Sequence, residues 1–250
     1  MFDAVTVLMV AGTFFLAGAV KGVIGLGLPT VSLAILTITI GMHEAMSLLL
    51  VPSLATNLWQ AARGGHGRAI LRRLWPFLVM ATATILLGAT ALTRVDAPLL
   101  SALLGVLLVV YATVSLIGYG FTLTPRREVW AGPLAGAVNG VLTGMTGTFV
   151  VPGVMYLQAV GMPRDMLIQA MGMLFLASTT AIAVALHWHG LLTVERGALS
   201  TVALVPALVG MVLGQQIRRE IPEPLFRRYF FAALLILGAY IVVRAMGDIA

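Results

Sequence analysis

The sequence contains no cysteine, a single lysine and little charge of any kind, with 10% of its 250 residues being Asp, Glu, Lys or Arg. Without cysteine there is no disulfide, no thiolate metal site and no thiol chemistry. So few charges exclude an ordinary soluble domain, in which about 25% of residues are charged. No aspartate or glutamate falls deep in a predicted span, so a carboxylate proton relay is not visible. The short alternating segments of a membrane β-barrel are missing too. There is no P-loop, no His-Glu-x-x-His signature and no Ser/His/Asp set, so nothing marks ATP hydrolysis or other catalysis. The chain reads as a non-enzyme that needs no cofactor.

What is present is largely hydrocarbon: 60% of residues are hydrophobic and the mean hydropathy is +1.04. Apolar runs recur at Trp75–Thr93, Leu99–Tyr119, Met166–Leu186, Leu199–Leu213 and Phe230–Val243, and each with its flanks is long enough to cross a bilayer as a helix. The expected fold class is therefore an all-α integral membrane protein, with the lipid bilayer as its surroundings. The opening "MFDAVTV" lacks the positive region of a cleavable signal peptide, so Met1 is read as retained. A pI near 10.5 would suit nucleic acid, but in a membrane protein the basic loops report topology, and no nucleic-acid partner is expected.

"LAGAVKGV" at Leu16–Val23 returns as "LAGAVNGV" at Leu134–Val141, with seven identities in eight positions. The correspondence continues downstream, Gly41-Met42 with Gly161-Met162 and His66-Gly67 with His189-Gly190. Internal duplication of this kind is a common construction of secondary transporters, and it divides the chain into repeats at 1–125 and 126–250. Arg63, Arg68, Arg72, Arg73, Arg126, Arg127, Arg164, Arg218, Arg219, Arg227 and Arg228 can be assigned to one side of the membrane, against Arg94, Arg196 and Arg244 on the other. That bias predicts a cytoplasmic location for the first set and outside termini. The helix after Gly41 and its partner after Gly161 then cross in opposite directions, so the repeats are inverted. Each repeat opens with a segment that begins and ends on one side, Ala4–Gly41 and Trp130–Gly161. Pieces such as Trp130–Leu142 and Thr148–Val160 hold about 13 residues, roughly 20 Å of helix, which favours broken half-helices meeting near the midplane over pairs of full crossings.

The breaks are "GVIGLGLPT" at Gly22–Thr30 and "GVLTGMTGT" at Gly140–Thr148. Glycines permit unusual backbone angles, and Pro29 suits the first turn of a new helix. Unpaired N–H groups at such starts favour an anion. Lys21 adds a full charge, and Asn139 occupies its matched place. The candidate anion-binding set is Lys21, Gly25, Gly27 and Thr30 from the first half with Asn139, Thr143, Gly144, Thr146, Gly147 and Thr148 from the second. Asn57 and Gln169 join it from the helices that follow the breaks. The alternative reading is that Lys21 snorkels to a lipid headgroup while the glycines only let helices pack closely.

The duplicated glycine-rich segment, with "TGMTGTFVVPG" at Thr143–Gly153, resembles the TauE/SafE family of sulfite and organosulfonate exporters across nearly the whole chain. The resemblance implies export of a small sulfur-containing or carboxylate anion across a bacterial inner membrane by a multi-pass protein. The leading expectation is alternating access at a central site. An anion-selective channel is the alternative, because half-helices can also line a pore.

His187 and His189 flank Trp188, two residues apart, the wrong spacing for one helix face, and no metal site is expected there. With Glu44 or Glu195 they are candidates for proton coupling. Trp59, Trp75, Trp130 and Trp188 read as interfacial anchors. The sequence leaves the oligomeric state, including a homo-oligomer, open.

Overall fold

In the computed structural model, residues 3–118, 120, 122–218, 220 and 222–249 are described. Tyr119, Arg219 and the chain ends Met1 and Ala250, which figure in the topology reading, lie outside them. The described residues are helical, with no strand among them. Helix α1 (Ala4–Ile24) starts on Asp3, whose carboxylate accepts the Thr6 N–H at 3.1 Å. It stops at Gly25, which takes φ 79° and returns its N–H to the Lys21 carbonyl at 2.8 Å. Only glycine adopts that angle cheaply, so the chain leaves the helix there. After Leu26 and Gly27, α2 (Leu28–Ile40) begins with Pro29 in its first turn.

The chain continues through α3 (Met42–Leu48), α4 (Leu50–Ala62), α5 (Gly67–Ala89) with a 3₁₀ turn at Thr90–Thr93, and α6 (Ala97–Ile117). The second half of the chain follows. Helix α7 (Pro125–Thr146) ends at Gly147, at φ 73° with its N–H on the Thr143 carbonyl at 2.7 Å. An irregular turn at Val150–Val154 then leads into the short α8 (Met155–Ala159), followed by α9 (Arg164–Trp188), α10 (Val194–Ile217) and α11 (Glu223–Ile249). Six of these are long and apolar enough to cross a membrane: α1, α5 with its 3₁₀ turn, α6, α9, α10 and α11.

Packing follows the glycines. Helix α1 lies along α10 and α7 along α5. A Cβ added at Gly18 would lie 2.1 Å from the Ala207 carbonyl oxygen and one at Gly22 2.2 Å from that of Met211, while Gly210 and Gly214 press equally closely on Phe15 and Ala19. On the other pair, Gly136 sits against the Phe77 carbonyl, Gly140 against Thr84 and Gly144 against the Ile85 carbonyl. Small residues let backbones approach in a medium where hydrophobicity supplies no drive between helices. Both pairs run parallel, and the ion pair of Arg73 with Glu128 (2.6 Å) holds the starts of α5 and α7 together. Helix α1 ends beside Arg63 and Arg218, at the end of the bundle where α5 starts and α10 finishes. It therefore runs toward the end from which α7 sets out.

The breaks are shorter than the sequence predicts. Gly22, Gly140 and Gly144 stay helical, because each is clamped against a neighbouring backbone and a turn there would forfeit that contact. Helix α7 is consequently 22 residues long, about 33 Å, rather than a 13-residue piece. Nor does a 13-residue helix follow it: Val151 is extended (φ −120°, ψ 125°), and regular helix resumes only at Met155.

Candidate functional site

Lys21 lies one turn before the end of α1, and only 4% of its surface is exposed. Its ammonium donates to Thr56 Oγ1 at 3.1 Å and to Asn57 Oδ1. No carboxylate pairs with it among the described residues. Both acceptors come from α4, whose Ser53, Thr56, Asn57 and Gln60 recur at three- and four-residue spacing and are all buried. Such spacing makes one polar stripe on an otherwise apolar helix. A lone cation within a span costs about 2.5–3.5 kcal/mol on insertion scales. Two hydrogen bonds from a charged donor, each about 1.5–3 kcal/mol, offset that cost and leave the charge un-neutralised.

The space around this ammonium is a cavity of about 430 Å³. Lys21, Gly22, Gly25 and Thr56 line its interior; Arg63, His66, Asp165 and Arg218 line its exposed side. Three cations against one carboxylate make the lining net positive. The break is held in place from both sides. Gln60 donates to the Gly25 carbonyl at 3.0 Å and to the Ile168 carbonyl at 2.8 Å, joining the end of α1 to α9. Gln169 donates to the Ala61 carbonyl and accepts the His66 N–H, both at 2.8 Å, which fixes the turn carrying Arg63. Trp59 packs its ring under the Arg63 guanidinium, 3.7 Å from the ring centroid.

The second break is a different environment. Asn139 is fully buried and accepts the Gly153 N–H at 2.9 Å. Thr143 Oγ1 donates to the Thr148 carbonyl at 2.8 Å, Thr146 Oγ1 to the Leu142 carbonyl at 2.7 Å, and the Thr148 N–H reaches Thr146 Oγ1 at 3.4 Å. Gly147 packs against Met46 and Leu33. Of the residues singled out in the sequence, the structure puts Lys21 and Gly25 in the cavity lining, with Asn57 behind them on Lys21 and Gln169 behind the rim. Thr30 is buried in the first turn of α2 and Gly27 faces Val20 and Phe230. Asn139, Thr143, Gly144, Thr146, Gly147 and Thr148 stay together in the second half, and none of them lines the cavity. Sequence reasoning missed Thr56, Asp165 and Gln215; the Ser53/Thr56/Asn57/Gln60 stripe is the signal that would have found Thr56. Arg63 and Arg218 were legible only as topology markers.

With a net-positive cavity at the end of a glycine-capped helix established, the comparison with known families becomes decisive: the profile described as sulfite exporter TauE/SafE matches residues 10–241. The chain belongs to the TauE/SafE family. The match takes in both breaks, Lys21 and the whole cavity lining, so the six apolar helices are those of a multi-pass membrane transporter. No curated protein and no solved structure matches the chain.

Proposed function

We propose that this TauE/SafE protein is a secondary transporter that exports a small anion, a sulfite, an organosulfonate or a related sulfur-containing anion, across the bacterial inner membrane. The observation that carries the reading is Lys21: a buried ammonium with neutral acceptors only, in a cavity whose rim adds Arg63 and Arg218. An anion entering from that side supplies the missing negative charge, with the Lys21 ammonium as its first ligand and Arg63 and Arg218 at the entrance. The residues of the second break are assigned to the same transport path in its other state.

Alternating access is supported by how the halves pack. The pairs α1 with α10 and α7 with α5 exchange when 1–125 and 126–250 are interchanged, while α4 with α9 and α6 with α11 map onto themselves. Such exchange, with α1 and α7 running oppositely, is the pattern of inverted repeats. The arginine-rich end, read as cytoplasmic, has the open cavity. Toward the opposite end the path is packed with Leu48, Leu49 and Leu50, and the Ser200 hydroxyl donates to the Leu48 carbonyl (2.7 Å) while accepting the Val51 N–H (3.1 Å). Glu44 and Arg196 pair at 2.5 Å on that side. These contacts are the assigned outer gate.

Counterflow in proteoliposomes tests the proposal. Liposomes preloaded with unlabelled sulfite should accelerate uptake of labelled sulfite, and the rate should saturate. Non-saturating flux indifferent to preloading would identify a channel, and absence of flux for sulfite, isethionate and taurine alike would remove the sulfur-anion assignment.

A further inference from the structure

We propose that Lys21 is the proton carrier of the transport cycle, so that an anion crosses together with one proton held on Lys21 Nζ. This rests on the transporter reading above and adds a coupling ion to it. Lys21 is the sole Asp, Glu, His, Lys or Arg among the buried polar and charged residues described. Helix α4, which supplies both its acceptors, has no charged residue at all. The other titratable or charged groups near it lie on the exposed side of the cavity: Arg63 and His66 from the α4–α5 turn, Asp165 from α9 and Arg218 from the end of α10. Arg164 of α9 and Arg227 of α11 line the neighbouring cavity beyond Ile24.

The cycle follows from charge. With the anion bound, ammonium and anion form a neutral pair that can pass through an occluded state. Once the anion has left, an occluded state would enclose an uncompensated cation, and a buried charge deprived of its partner is strongly unfavourable. Two exits exist: another anion binds, giving exchange, or Nζ gives up its proton to water on the side where the anion left. The neutral amine then returns and takes a proton from water on the first side. Each net turnover thus moves one anion and one proton the same way, with direction set by the sum of their gradients. Lysine suits this step because its ammonium can lose a proton in a buried setting, whereas a guanidinium cannot.

The surroundings of Nζ serve both forms. Asn57 Oδ1 accepts from the ammonium, while its Nδ2 is buried without a partner. Turning that amide over would present a donor to the lone pair of the neutral amine. The Thr56 hydroxyl gives its proton to the Pro52 carbonyl at 2.7 Å and keeps its oxygen for the ammonium. A residue meant only to hold a fixed cation has no use for the spare donor on Asn57.

The test uses the full chain in proteoliposomes loaded with labelled isethionate, a sulfonate with no proton of its own to carry near neutral pH, at clamped zero voltage with a pH dye inside. Net efflux by the wild type should remove about one proton per anion and alkalinise the lumen, while one-for-one exchange should move no protons. In Lys21→Arg the ratio of net efflux to exchange should fall at least tenfold, whatever the loss in exchange itself. Wild-type net efflux without lumenal alkalinisation, or a Lys21→Arg protein with the wild-type ratio and proton movement, overturns the proposal. If Lys21→Arg does not fold, the wild-type stoichiometry decides alone. Absence of both exchange and efflux, for isethionate and for sulfite, would instead be a failure of the transporter reading.

Discussion

At the first break Gly25 returns its N–H to Lys21, and at the second Gly147 returns its N–H to Thr143, at 2.8 and 2.7 Å and with φ of 79° and 73°. The caps are alike, yet the space behind them is not. Behind Gly25 a lysine faces a cavity and leans on neutral acceptors of α4. Behind Gly147 an asparagine is tied to the Gly153 N–H, and threonine hydroxyls are spent on the turn itself. The first break opens its ammonium onto a cavity, and the second ties most of its polar groups into the turn. Unspent polarity remains in both: Asn57 Nδ2 and Gln60 Oε1 in the first, Asn139 Nδ2, Thr148 Oγ1 and Ser178 Oγ in the second are buried without partners. Leaving a buried polar group unpaired costs about 1–3 kcal/mol, so such a set calls for a use.

The comparison breaks most sharply by removing the matched residues. Lys21→Met should lower anion affinity at least tenfold, about 1.4 kcal/mol, with melting temperature unchanged or raised. Asn139→Ala should act the other way, costing about 2–4 kcal/mol of stability because the buried Gly153 N–H loses its acceptor and a void opens. Affinity by calorimetry beside thermal melting separates them, and equal loss of stability in both would mean that Lys21 is structural. Next, Gly147→Ala should cost about 2–3 kcal/mol, since the positive φ is joined by contact at 3.0 Å with the Met46 side chain. Gly25→Ala meets Ile168 only at 3.7 Å and should cost about 1 kcal/mol, so reversal of that order in thermal melts would show that the first break is the tighter one.

A third substitution sharpens the electrostatics. Asn57→Asp would give Lys21 an internal counter-ion, so anion affinity should fall at least tenfold while the melting temperature holds or rises. Tighter anion binding would contradict the view that the ammonium awaits its charge partner. The smallest effect belongs to Ser178→Ala, which deletes an unpaired hydroxyl and should change stability by no more than about 0.5 kcal/mol. A loss of flux in that variant, with stability intact, would place the second half's unspent groups on the transport path.

The membrane-spanning class and the helix stops at Gly25 and Gly147 were legible because they depend on local properties: run length and the missing Cβ of glycine. How far each helix runs before its stop was not. Gly22, Gly140 and Gly144 look like breaks in the chain, yet they remain helical because a carbonyl or side chain of α10 or α5 sits where their Cβ would be.

The same division holds for the site. Composition and position alone singled out Lys21, a lone ammonium in an apolar run, since burying a charge is costly whatever the neighbours are. Its neighbours depended on tertiary contact. Thr56 and Asn57 lie 35 and 36 residues away, and Gln60 reaches the Ile168 carbonyl 108 residues on. Asn139, its twin in sequence, accepts the Gly153 N–H and does not line that cavity. Octapeptides alike at seven of eight positions both run as helix, but the polar or apolar character of the space beside them is set by the other half of the chain, and that is where Lys and Asn part.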